Sequence, residues 1–96
     1  MCIEVFGCRD SRSRAYAFNL GLALRKTGDH EGAIAQFKKA IALDSNDAGF
    51  HLALAMSCDQ LGRKDDALAA YRRTLELAPE SPEVPQIRAR IDALLN

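Results

Sequence analysis

Apolar residues recur at helical spacing along most of this chain, and the recurrence is broken by glycines at regular intervals. From Ser13 to Thr27, and again from Asp47 to Leu61, the apolar positions follow a helical period. Each run stops at a glycine, Gly28 or Gly62, a residue suited to the left-handed cap that closes a helix. A second amphipathic run follows each glycine: Ala33, Ile34, Phe37, Ala40 and Ile41 in the first copy, Ala67, Leu68, Tyr71 and Leu75 in the second. Asp29 can cap the first of these through its side-chain oxygen, whereas its counterpart Arg63 cannot. Gly32 sits in a first turn, where it costs up to about 1 kcal/mol relative to alanine, and the sequence offers no functional reason for it.

These runs form a repeat. Sliding the chain by 34 positions superposes Leu20 on Leu54, Gly21 on Ala55, Gly28 on Gly62, Ala33 on Ala67, Phe37 on Tyr71 and Leu43 on Leu77. The pairs match in size as well as polarity. Small residues at Gly21, Ala33 and Ala40, and at Ala55 and Ala67, let two helices approach closely, with Phe37 or Tyr71 filling the space beside them. The pattern predicts an all-α fold of stacked antiparallel helical hairpins.

A fifth helical segment follows Pro79, with Val84, Ile87, Ile91, Leu94 and Leu95 assigned to one face and Arg88, Arg90 and Asp92 away from it. It serves as a lid on the last hairpin, because a stacked array needs a polar outer surface at its end. Its start is ambiguous: Ser81 with Pro82 makes a good cap and first-turn pair, and Pro85 serves equally with a shorter helix. The expected organisation is an N-terminal segment over residues 1–12 and a helical domain over 13–96. Within the domain, unit one covers 14–47, unit two 48–81 and the terminal helix 82–96.

Composition narrows the function. Thirteen basic and thirteen acidic residues cancel, removing the field that nucleic acid or an anionic membrane surface demands. No apolar run approaches the roughly 20 residues needed to cross a bilayer, and the Cys2 to Phe6 cluster, interrupted by Glu4, does not resemble a signal peptide. The three cysteines, Cys2, Cys8 and Cys58, are odd in number and lack metal-ligand spacing, so a reducing, cytoplasmic setting is expected with no metal and no cofactor. Cys58 lies on a packing face as a small hydrophobe; His30 and His51 suit surface or packing roles. No catalytic constellation or phosphate-binding loop is present, and the chain is not expected to be an enzyme.

The stretch Asn19-Leu20-Gly21, then Gly28-Asp29, Ala33-Ile34, Phe37, Lys39-Ala40 and Leu43-Asp44, resembles a unit of the tetratricopeptide repeat family. The second unit is looser. It keeps Leu54, Gly62, Ala67, Tyr71, Leu77 and Pro79 but has Ala55 for the glycine, Cys58 for a large residue and Thr74 for the alanine. Both units carry Ala17 or His51 where the family often has tryptophan. The resemblance implies a right-handed superhelix of about five helices and a concave groove, lined by the first helix of each pair, that binds peptides or partner proteins.

On this chain the groove residues implied are Phe18, Leu22, Arg25 and Lys26 from the first helix, and Leu52, Met56, Asp59 and Gln60 from the third. Helical geometry groups Phe18, Leu22 and Arg25 on one face, and Leu52, Met56 and Asp59 on another, apart from the faces that pack the hairpins. Burying Phe18, Leu22, Leu52 and Met56 at roughly 1.5–3 kcal/mol each supplies on the order of 6–12 kcal/mol before association costs, so an apolar-anchored ligand of micromolar affinity is expected. Apolar Phe18, Leu22 and Ala53 at sites where some family members clamp a C-terminal carboxylate argue against that mode here. The blander alternative makes Phe18 and Met56 ordinary core. Residues 1–12, through Ile3, Val5 and Phe6, are one candidate cover for the groove. A homodimer through the groove, or through the open end of the array, is the competing function, since two units are fewer than the three usually needed for stability.

Overall fold

The computed structural model describes residues 11–95 and consists there of five α-helices with no strand: α1 (Ser11–Lys26), α2 (His30–Leu43), α3 (Ala48–Gln60), α4 (Lys64–Leu77) and α5 (Val84–Leu95). Ile3, Val5 and Phe6, the candidate cover for the groove, lie outside the described residues. Helix α1 packs on α2 and α3 on α4, α2 joins the two hairpins through α3, and α5 lies on α4.

Both glycine stops are realised. Gly28 has φ +94° and Gly62 φ +77°. At the first, the Gly28 N–H donates to Arg25 O at 3.1 Å and the Asp29 N–H to Leu24 O at 2.9 Å. At the second, the Gly62 N–H donates to Asp59 O at 3.1 Å and the Arg63 N–H to Cys58 O at 2.9 Å. This paired pattern satisfies carbonyls that the helix end leaves free, and it requires the left-handed residue. The two hairpin turns are thus copies at the level of hydrogen bonds.

The helix starts diverge as the side chains dictate. Asp29 accepts from the Gly32 N–H at 2.9 Å, while Arg63 makes no side-chain capping bond. A Cβ at position 32 would lie 2.5 Å from Asp29 Oδ2, so the glycine leaves room for the capping carboxylate. Helix α5 takes the shorter start, with Pro85 inside its first turn and the Glu83 N–H donating to Ser81 Oγ at 3.2 Å. Ile87 and Ile91 are buried and Leu94 is half-buried, but Leu95 is 58% exposed. Adjacent helical residues differ by about 100°, and only Leu94 falls on the packed face.

The core is split between the hairpins. Ala17, Ala33, Phe37, Ala40, Phe50 and Ala53 are buried around the first, and Ile34, Ala55, Cys58, Ala67, Tyr71, Ile87 and Ile91 around the second. The close helix approach expected at Gly21 is extreme, since a Cβ there would stand 2.6 Å from Phe37 Cε1. Two departures from the family pattern are also accounted for. Buried Thr74 donates its hydroxyl to Ala70 O at 2.8 Å, and buried His51 sets Nε2 2.9 Å from Ser45 O. Both polar groups are satisfied within the hairpin, which removes most of the penalty of burying them.

Candidate functional site

Helices α1, α3 and α5, the first members of successive hairpin positions, meet along one side of the array. Helix α3 stands between the others. From α1, Arg25 Nη1 lies 3.6 Å from Met56 Sδ. From α5, Arg90 grips the α3 carboxylate Asp59 with Nε to Oδ2 at 2.5 Å and Nη2 to Oδ1 at 2.7 Å.

Between α3 and α5 lies a cavity of about 240 Å³, lined by Leu52 and Met56 from α3, Tyr71 from α4, and Glu83, Gln86, Ile87 and Arg90 from α5 and its approach. Its walls are mainly apolar. A second hollow, of about 480 Å³, opens near the starts of α1 and α3, where Phe18 and Phe50 meet Arg14, Asn19 and Asp47. There Arg14 is already paired with Asp44 at 3.7 Å.

The eight residues expected in the groove divide by where their side chains go. Phe18 turns inward: its ring centroid is 5.0 Å from that of Phe50 and 5.8 Å from that of Phe37, so it bridges the first hairpin to the second. Leu22 is half-buried against the cluster of Ala33, Phe37 and Ala53. Leu52 and Met56 line the cavity, and Met56 is 39% exposed. Arg25 is half-buried beside Met56, whereas Lys26 and Gln60 are exposed at the last residues of α1 and α3. Asp59 is occupied within the chain.

Asp59 is the hub of a three-helix polar contact, because the Tyr71 hydroxyl of α4 donates to its Oδ2 at 3.1 Å. The Arg90 hydrogen bonds hold its carboxyl below the usual carboxylate range, against the opposing effect of burial and with help from Tyr71. Burial first, and the Asp59 charge second, push the Tyr71 hydroxyl up to about 12. Burial likewise raises the Cys58 thiol, with the Asp66 charge adding to it, so this sulfur is neither ionised nor reachable near neutral pH. Among the described residues, no cluster of three or more His, Cys, Asp or Glu side chains could hold a metal ion. No helix there is long and apolar enough to cross a membrane.

Sequence reasoning missed the α5 wall of the cavity. The signal was available: a second shift by one repeat carries Leu52 onto Gln86, Ala53 onto Ile87 and Met56 onto Arg90. The capping helix of the two repeats is also a third first-position helix, and its side chains at positions 86, 87 and 90 add a wall to the cavity.

Two hairpins with matched turns, closed by a further first-position helix, define a helical-repeat domain. The family model for the tetratricopeptide repeat matches residues 9–48 and 18–82, and the chain belongs to that family. Among solved structures, this chain is similar to the one described as PcrH in complex with the chaperone binding region of PopD, with a TM-score of 0.78 at 23% identity over 90% of this chain and 68% of that one. At that identity the likeness concerns the fold. Among curated proteins no sequence match is found.

Proposed function

We propose that this chain is a non-catalytic docking module that holds a segment of a partner protein, seating an apolar side chain against Leu52, Met56 and Ile87 between α3 and α5. The observation that carries this reading is the cavity of about 240 Å³ with mainly apolar walls and a 39%-exposed methionine at its edge. A cavity of about 150 Å³ accepts a benzene ring. The larger space therefore suits one leucine- or phenylalanine-sized anchor. A peptide ligand is favoured over a small molecule by the openness of the α1–α3–α5 side and by the structural neighbour, which is described in complex with a segment of another protein.

One anchor is worth roughly 1.5–3 kcal/mol, so flanking contacts must supply the rest of a micromolar affinity. Methionine suits such a wall because its flexible thioether adapts to different side chains. A reducing, cytoplasmic setting fits the buried free thiol of Cys58.

The test is selection of binders from a displayed peptide library on the parent protein, followed by measurement on Met56→Glu. Because Met56 is exposed, the variant should keep its helical circular dichroism and lose at least tenfold in affinity for the selected peptides. Equal affinity in both proteins, or a selection without apolar anchors, overturns the reading.

Self-association is the second reading, and Tyr16 is the observation that favours it. Tyr16 is 67% exposed on α1, the outermost helix of the described array. Light scattering over a concentration series on the parent and on Tyr16→Glu decides it: a dimer lost in the variant supports assembly through that end, and a monomer throughout rejects it. Phe18→Glu is unsuitable here because it would break the aromatic bridge between hairpins.

A further inference from the structure

Two contacts across neighbouring first-position helices are related by the repeat. Arg25 to Met56 and Asp59 to Arg90 each span 31 residues, and one shift of 34 carries the first pair onto the second. In the second pair a carboxylate meets a guanidinium, and both charges are spent. In the first, the guanidinium meets a thioether, a weak acceptor that neutralises nothing.

The ion pairs of the described residues engage Arg14, Arg63, Arg73 and Arg90 as cations, leaving Arg25 without a carboxylate. Lys26 stands next to it at the exposed end of α1 and adds positive charge. On the far wall, Glu83 lines the cavity, and among the described residues its carboxylate accepts only from Ser81 Oγ, at 3.4 Å, with no cation paired to it. The one cation lining the cavity, Arg90, is already held by Asp59. The apolar seat is therefore flanked by an unspent positive charge toward α1 and an unspent negative charge toward α5.

Resting on the docking function above, we infer that the partner segment is dipolar: an acidic residue meets Arg25, an apolar residue fills the cavity, and a basic residue meets Glu83. Helices α1 and α5 are two helix spacings apart, roughly 16–20 Å at ordinary packing distances. Arg25 near the end of α1 is also offset from Glu83 before α5 by about ten residues, or ~15 Å along the axes. An extended chain covers the resulting ~22–25 Å in about seven residues. The spacing fits acidic-x-x-apolar-x-x-basic.

The experiment is NMR titration of the full chain, following the Met56 methyl, with four end-blocked peptides: Asp-Ser-Ser-Leu-Ser-Ser-Lys, its Asp/Asp and Lys/Lys analogues, and Asp-Ser-Ser-Ser-Ser-Ser-Lys. Two exposed charge pairs should make the dipolar leucine peptide about fivefold tighter than either single-sign analogue at low salt, with the difference lost near 0.5 M salt. Arg25→Glu should transfer the preference to the Lys/Lys peptide, and Glu83→Lys to the Asp/Asp peptide. Equal affinity for all three leucine peptides on the parent, or an unchanged ranking in both variants, overturns the dipolar assignment while leaving the docking site standing. Failure of every leucine peptide to outbind the serine peptide overturns the docking site, and the dipolar assignment with it.

Discussion

In the first hairpin the Phe37 ring lies where a side chain on residue 21 would have to go, while in the second hairpin Ala55 and Tyr71 hold the same two places. One hydroxyl and one methyl separate the pairs. In the first hairpin, contact is by shape alone and extends through Phe18 to Phe50 as an aromatic bridge. In the second, the Tyr71 hydroxyl reaches Asp59, which in turn holds Arg90 of α5. The same backbone thus uses one aromatic position as filler inside the array and as a fixing point at its C-terminal end. Apolar packing joins hairpin to hairpin, and a polar contact supplements it where the last helix docks with fewer buried side chains.

The strongest way to break the contrast is to empty the aromatic position in the first hairpin. Phe37→Ala should cost about 3–5 kcal/mol in denaturant unfolding, because a fully buried ring leaves a void that the Gly21 contact cannot refill. A loss below about 1 kcal/mol would show that the first hairpin is not held by this ring. Filling the glycine comes next: Gly21→Ala should destabilise by about 1–3 kcal/mol through overpacking, although alanine is the better helix former and is accepted at position 55. Thermal unfolding reads this, and a rise in melting temperature would contradict the close approach.

The second hairpin answers to chemistry more than to volume. Tyr71→Phe should cost about 1 kcal/mol at neutral pH by removing one hydrogen bond to a carboxylate. Its pH dependence carries a sign. The folded Tyr71 hydroxyl sits at about 12, above the ordinary value near 10, so the unfolded chain loses that proton first. The stability it contributes is full below pH about 10 and is lost as the pH rises toward about 12. Asp59 behaves in the opposite sense. Its carboxyl is depressed in the folded chain, so its contribution is present above the unfolded value near 4 and disappears as the pH falls through the folded value. Comparing parent with Tyr71→Phe across alkaline pH, and parent with Asp59→Asn across acid pH, should reveal both windows; parallel profiles would remove the polar hub from the account.

The smallest effect is expected at the helix starts. Asp29 and Arg63 have nearly the same backbone, φ −87°, ψ 75° and φ −84°, ψ 78°, but only Asp29 caps. Arg63→Ser should gain about 0.5–1 kcal/mol by supplying the missing acceptor, offset slightly by loss of the exposed pair with Glu31. Isothermal denaturation showing no gain would mean that the second turn is already satisfied by solvent.

The amino-acid order by itself determined the elements whose causes are local. Gly28 and Gly62 end helices because they alone accept the left-handed cap. Asp29 caps because its oxygen is near in the chain. Matching small and large residues one repeat apart announced two copies of one hairpin, and with them the family. Tertiary structure alone decided the direction in which Phe18 points, the partner that Asp59 takes, and the volume left open between α3 and the capping helix α5. Those outcomes depend on helices brought side by side from more than thirty residues away, where a modest change in crossing angle selects which face of a helix meets its neighbour. Periodicity records that a face exists, and packing chooses what it touches.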